Sequence, residues 1–275
     1  MQKPWCAYWL KDQGKLDLPE ALTFEVGTNT WKRWETWPPK VAVQSRNLYF
    51  HSNGKLSFDA PQTSSRDSLD AYVSDPAHPV PYRARPIPPT YYPGGSGWPT
   101  WLVTDQRFVD DRPDVLSWET DVLQEDVTIA GEVLAKLFAS TTGSDADFIM
   151  KLIDVYPEEG NTEAKMNGWQ LMVSNEVFRG RYREGYTRSV PIKPDSVLPF
   201  SWSLHTQNYT FKKGHRIMVQ VQSTWFPLID RNPQTFVPNI FNARASDFKA
   251  ATMRVHRNSR YPSSIVIPVV MKPST

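Results

Sequence analysis

Ser96 lies in Gly94-Gly95-Ser96-Gly97-Trp98, the segment nearest to a G-x-S-x-G turn, in which a serine at a sharp strand-to-helix bend becomes an exposed nucleophile. The pattern fails at its last position, where Trp98 stands in place of glycine, and its surroundings are proline-rich rather than those of a buried strand. Ser96 is therefore not expected to attack an acyl group. His51, His78, His205, His215 and His256 show neither H-E-x-x-H spacing nor partner cysteines, so no zinc site is expected. His205 and His215 flank an expected hairpin, but spacing alone does not assemble a Ser-His-Asp triad. Asp145, Asp147, Asp154, Glu158 and Glu159 fall close together, and loop carboxylates can ligate calcium; they lack the EF-hand order and read as solvated loop charge. Alternating signs in Asp110-Asp111-Arg112 and Asp230-Arg231 suggest bidentate pairs that hold loops against strands. Asn208-Tyr209-Thr210 is a glycosylation sequon, a short pattern of low specificity. No residue qualifies as catalytic, and no metal or cofactor is expected.

Composition narrows the partners. The 275 residues carry 31 basic and 29 acidic side chains, a net charge of +2 without any block of like sign, which argues against nucleic acid. An apolar content of 40% and an aromatic content of 13% suffice for a substantial core. Cys6 is the lone cysteine and cannot form an internal disulfide. The first residues, MQKPWCAYWLKDQG, lack the apolar core and small-residue cleavage site of a secretory signal, and no apolar run approaches the length of a membrane-spanning helix.

Two unequal parts must position whatever chemistry there is. Trp5, Tyr8, Trp9 and Leu10 have the spacing of a short helix face ended by Gly14, and Leu22 to Val26 reads as a strand. One helix and one strand cannot enclose a core, so residues 1–38 are expected to be the tail of a larger domain, with Trp37-Pro38-Pro39 at the boundary. The apolar face of residues 5–26 is then expected to be uncovered, and a homo-oligomer is one way of covering it. Over residues 39–275 the period is two. Ile217, Val219 and Val221 alternate with Arg216, Met218, Gln220 and Gln222, giving one apolar and one wetter face. Similar runs at 48–50, 127–139, 148–155, 169–173, 202–204, 253–255 and 265–270, separated by turns such as Asn53-Gly54, Gly143 and Lys213-Gly214, predict an antiparallel β-sandwich, specifically a jelly roll. From residue 76 to residue 100, eight of 25 residues are proline, which predicts a long loop over a surface, with an apolar face made by Tyr82, Tyr91, Tyr92, Trp98 and Trp101.

Taken in order, VGTNTWKRWETWPP, NLYFHSNGKLSF, YVSDPAHPVPYRARP, WLVTDQRFVDDRPDVLSWET, FIMKLIDVYPE, GWQLMVSNEVFRGRYRE and GHRIMVQVQSTWFPLIDRNPQT resemble the C-terminal part of α-amino-acid ester hydrolases and glutaryl-7-aminocephalosporanic acid acylases, in the group of cocaine esterase and X-Pro dipeptidyl-peptidases. The resemblance implies a mainly β, galactose-binding-like jelly roll at 39–275, preceded at 1–38 by the last helix and strand of an α/β-hydrolase domain. It implies that the nucleophilic serine, aspartate and histidine lie upstream, that this chain alone is inactive, and that its partner is a catalytic domain in the same or a separate chain. Small acyl esters, amides or peptides would be bound through that domain. The loop at 86–101 would wall its cleft, with Tyr91, Tyr92 and Trp98 nearest the substrate. A stand-alone carbohydrate- or ligand-binding sandwich remains the alternative, on the strength of eleven tryptophans.

Overall fold

Val127, Ile129, Val133, Ala135, Leu137 and Ala139 recur with a period of two, and this alternation lays down the longest strand of the chain. The computed structural model describes residues 2–40, 43–160 and 164–271; Met1 and residues 272–275, at the outer ends of the two expected domains, lie outside them. The described elements are α1 (Gln2–Lys11), β1 (Ala21–Glu25), β2 (Thr30–Trp34), β3 (Val43–Phe50), β4 (Leu56–Ser57), β5 (Leu69–Ser74), β6 (Tyr91–Tyr92), β7 (Gly95–Ser96), α2 (Trp98–Leu102), α3 (Arg107–Asp110), β8 (Leu116–Glu119), β9 (Val127–Thr141), β10 (Asp147–Val155), β11 (Gln170–Arg179), β12 (Leu198–Phe211), β13 (Arg216–Gln222), β14 (Ala251–His256) and β15 (Ser264–Val270).

Two sheets face each other. One runs β4-β3-β15-β9-β14-β5, with β12 along the other edge of β9; the second runs β11-β10-β13-β8. Their strand pairs are antiparallel. Leu48, Phe50, Ile129, Val133 and Leu137 of the first meet Phe148, Met150, Leu152, Ile217, Val219 and Val221 of the second in one buried cluster. Phe50 stacks on Trp118, ring centroids 4.3 Å apart, and locks β3 to β8. The mainly β antiparallel sandwich is as expected, and each expected run falls on a strand. Asn53 (φ 59°) and Gly54 (φ 64°) form the left-handed pair that turns β3 into β4. Strands β5 and β8 escape the sequence reading because Asp70, Ser117 and Glu119 interrupt their apolar pattern; tertiary pairing with β14 and β13 makes them strands.

Before Trp37 the structure corrects the expectation of a single strand. β1 pairs with β2 in a hairpin turned by Gly27 (φ 93°) and Asn29 (φ 56°). β2 carries Trp31 on one face and Trp34 on the other, so it shows no apolar alternation to read. The hairpin docks on the sandwich: Val26 N–H donates to Asn208 O at 3.1 Å and Thr210 N–H to Val26 O at 2.8 Å. A Cβ on Gly27 would stand 2.2 Å from Thr210 O. Replacing Gly27 with alanine should therefore break this seam at a cost of about 1–3 kcal/mol. Urea unfolding of the variant measures it, and an unchanged midpoint would show that the hairpin does not bear on β12.

Candidate functional site

Strand β10 (Asp147–Val155) is buried at every position. Phe148, Met150 and Leu152 enter the sandwich core, whereas Ile153 packs with Val155 and Met218 outside it. The outer face of this sheet is therefore covered, and the cover includes Gln106 and Asp110, which follow the proline-rich segment, and Trp225, against which that segment packs through Tyr82. Tyr82 N–H donates to Phe226 O at 2.8 Å and Phe226 N–H to Val80 O at 3.0 Å, which clamps one end of the loop. The other end is clamped where Gln106 N–H donates to Gln170 O at 3.0 Å and Gln170 N–H donates to Asp105 Oδ1 at 3.1 Å. The face of β13 expected to be wetter is thus buried as well, with Gln220 and Gln222 fully enclosed. Its amide donors are satisfied internally: Asp110 accepts from Ser117 Oγ at 2.6 Å, Gln170 Nε2 at 2.6 Å and Gln220 Nε2 at 3.2 Å, while Oε1 of Gln170, Gln220 and Gln222 finds no donor among the described residues.

Lys151 sits in the same layer, fully buried, donating to Gln106 Oε1 at 3.0 Å with its ammonium 5.1 Å from the centre of the Trp225 ring. Burial brings its pKa down to about 7, opposed by the nearby Asp110 carboxylate. A lysine inside FIMKLIDVY was a visible signal, but the role of cover-bound residue could not be read from it. An aromatic series leads outward from this lysine: Trp225 contacts Tyr82, Tyr82 contacts Trp101, and Trp101 contacts Trp98. Arg83 lies 4.2 Å over the Trp101 ring, 8% exposed, with its Nε and Nη1 lacking acceptors among the described residues. Sequence reasoning missed it because neither of the two arginines of PYRARPI, Arg83 and Arg85, carries a periodic signal.

Between the clamps the loop projects. Tyr91, Tyr92 and Trp98 are 74%, 50% and 47% exposed, the first two on β6, paired with β7, and the third opening α2. Ser96 is held inside this turn, its Oγ donating to Thr90 O at 3.2 Å and accepting from Trp98 N–H at 3.1 Å, with no histidine among its partners. The second uncovered surface is the N-terminal one. No residue of α1 is buried, and Trp5, Tyr8, Trp9, Leu10, Phe24 and Trp31 are exposed.

The remaining sequence candidates are placed as follows. His205, in a bulge of β12 with φ 66°, bonds Glu176 Oε2 at 2.7 Å at the surface. His215 is buried, Nδ1 2.9 Å from Asp154 Oδ1, while Tyr209 donates to Asp154 Oδ2 at 2.7 Å. His256 Nε2 lies 3.2 Å from Ser140 Oγ; His51 bonds Asp59 O and His78 bonds Asp75. The solvated reading of the acidic group is corrected for three members: Asp145, Asp147 and Asp154 are buried at 0–1% exposure. Asp145 pairs with buried Arg181 at 2.7 Å, and Asp147 accepts from Asn232 at 2.9 Å with Arg179 at 4.0 Å. Folding draws each to a different donor because burial of an unpaired carboxylate is too costly. Bidentate pairs do form, but Arg112 takes Asp114 and Asp230 takes Arg179. Asn208 of the sequon lies in β12, its Nδ2 donating to Thr23 Oγ1 at 2.8 Å, so the amide is engaged in the hairpin seam.

A two-sheet sandwich with a clamped loop and an uncovered N-terminal face defines a β module that presents aromatic surface to a neighbour. Residues 2–266 match the X-Pro dipeptidyl-peptidase C-terminal non-catalytic domain, and the chain belongs to that family. It is similar to cocaine esterase of Rhodococcus sp. (strain MB1 Bresler), 31% identical over 262 residues that make up 93% of this chain and 42% of the esterase. Among solved structures it is similar to an aminopeptidase from the marine sediment archaeon Thaumarchaeota archaeon, with a TM-score of 0.93 and 48% identity over 98% of this chain and 44% of that one. A selenomethionine-labelled α-amino acid ester hydrolase gives a TM-score of 0.91 and 46% identity over the same shares. The chain thus spans less than half the length of these relatives.

Two buried groups set a pH signature of opposite signs. Between pH 7 and 10 the unfolded chain holds a proton on Lys151 that the folded chain lacks, so this contribution to stability rises with pH. Burial lifts the Asp147 carboxyl to about 7; between pH 4 and 7 the folded chain keeps a proton that the unfolded chain releases, so that contribution falls as pH rises. Unfolding by urea at pH 7 and 9 should show the wild type gaining about 2 kcal/mol more than Lys151→Met over that interval. Asp147→Asn should remove the acid-side slope. Parallel profiles for wild type and Lys151→Met would rule out a neutral buried amine.

Proposed function

We propose that this chain is the non-catalytic C-terminal portion of a serine acyl hydrolase, seated on an α/β-hydrolase domain supplied in the same or a separate chain. The observation that carries the reading is the clustering of exposed aromatics on two surfaces, Trp5, Tyr8, Trp9, Phe24 and Trp31 on α1 with its hairpin and Tyr91, Tyr92 and Trp98 on the loop between the clamps, whereas Tyr186 and Phe241 stand apart from both. On this reading residues 1–38 complete the hydrolase domain and residues 39–275 form the jelly-roll domain. Esters or amides of small acyl groups are the substrate class, in keeping with relatives named as an esterase, an ester hydrolase and an aminopeptidase. Serine, histidine and aspartate of the partner domain would carry out acyl transfer. This chain contributes a wall: Tyr91, Tyr92 and Trp98 are held forward by a loop whose ends are hydrogen-bonded to the sheet, so they can bound an acyl pocket without moving chemistry into the sandwich.

Hydrolysis of p-nitrophenyl acetate and of an amino-acid ester should require co-expression with an upstream hydrolase domain; turnover by the 275-residue chain alone would overturn the reading. In the reconstituted enzyme, Tyr91→Ala with Trp98→Ala should shift the kcat/KM ratio between bulky and small acyl groups by about tenfold. An unchanged ratio would remove the loop from the pocket while leaving the domain assignment standing.

A further inference from the structure

At the end of β9 remote from the N-terminal hairpin, roughly 30 Å along the strand from Ala130 to Ala139, the turn between β14 and β15, with Ser64, Arg66 and Val197, borders a half-open cavity of about 430 Å³. Its walls include Arg66, Arg260, His256, Asn258 and Tyr261, and no carboxylate lines it. The neighbouring arginines are neutralised, Arg254 by Asp195 at 2.7 Å and Arg257 by Asp70 at 2.8 Å. Arg66 and Arg260 have no acidic partner among the described residues; Arg260 instead lies over the Tyr261 ring at 5.3 Å. The floor is built rather than incidental. Asn258 is 2% exposed, and its Oδ1 accepts from Arg260 N–H at 3.1 Å and Tyr261 N–H at 2.9 Å. Its acceptor thus fixes the turn while its Nδ2 has no acceptor among the described residues. His256, 7% exposed, is anchored through Nε2 to Ser140 Oγ at 3.2 Å.

We propose that this cavity is a binding site for a small oxyanion, held by the guanidinium groups of Arg66 and Arg260 and by the Asn258 amide. A half-open pocket whose rim carries two exposed guanidinium groups without acidic partners among the described residues, whose floor carries the Asn258 amide, and whose lining holds no carboxylate, is complementary to phosphate or carboxylate oxygens. The two arginines are 194 positions apart in the sequence, so the site exists only in the folded chain: Ser259 N–H donates to Thr63 O at 2.8 Å and Arg257 N–H to Ser68 O at 2.9 Å, bringing the loops together.

The full chain, titrated with inorganic phosphate and separately with citrate at constant ionic strength, should show saturable one-to-one shifts of the amide resonances of residues 256–261 and 64–66. The phosphate and citrate arms decide which oxyanion the site prefers. Arg66→Ala with Arg260→Ala should weaken binding at least tenfold. Asn258→Asp keeps the acceptor that fixes the turn but replaces the amide donor with a negative oxygen, and should abolish saturation while amide resonances outside residues 256–261 and 64–66 stay at their wild-type positions. Shifts that fail to saturate with either anion, or equal binding by the wild type and both variants, would overturn the proposal.

Discussion

A strand enclosed on both faces needs two covers, and β10 has them: the facing sheet on one side and, on the other, Gln106, Asp110 and Trp225 beside the proline-rich segment. Much of the rest follows from that enclosure. Sandwich strands with one solvated face need only one layer of partners, whereas the outer face of β10 and β13 places Lys151, Gln220 and Gln222 out of reach of water. Buried polar groups of this kind are tolerated only where donors and acceptors are supplied nearby, and the cover supplies them through Gln106 and Asp110. The segment that looks like a loop is therefore also half of a polar core.

That dual role explains how the segment can project aromatic side chains and still hold them in place. Prolines remove backbone donors that a free-standing loop would leave unsatisfied, and hydrogen bonds at both ends fix its base to β11 and to residues 224–226. A series of edge-on, tilted and stacked ring contacts carries that rigidity from Trp225 at the base to Trp98 at the surface. On the proposed reading, a wall built this way would lose little conformational freedom when a partner or ligand arrives.

The seam with the N-terminal hairpin follows a different logic, close backbone approach rather than polar satisfaction. Gly27 lies against Thr210, and Gly131 makes room for Pro38, whose Cβ would be 3.3 Å from a Cβ at that position. The hairpin is thereby fixed to β12 while the aromatic faces of α1 and β1 remain uncovered. On the proposed reading, in which residues 1–38 complete a neighbouring domain, a fixed attachment with an apolar outer face is what such a segment requires.

The sequence alone determined the longer sandwich strands and the class of the fold, though not β2, β5 or β8, because a two-residue period is a local property and Ile217, Val219 and Val221 show it without reference to any neighbour. It also carried the family, through long ordered motifs, and the exposed aromatics of the N-terminal face and the loop, since large apolar residues outside any periodic run must be placed somewhere. Tertiary structure alone decided which polar residues would be buried and with whom. Asp145, Asp147 and Asp154 are neighbours in the chain yet go to Arg181, Asn232 and His215, and the wetter face of β13 lies under a segment more than a hundred residues earlier. Pairing of that kind depends on which distant donor arrives at each carboxylate, and no local period encodes it.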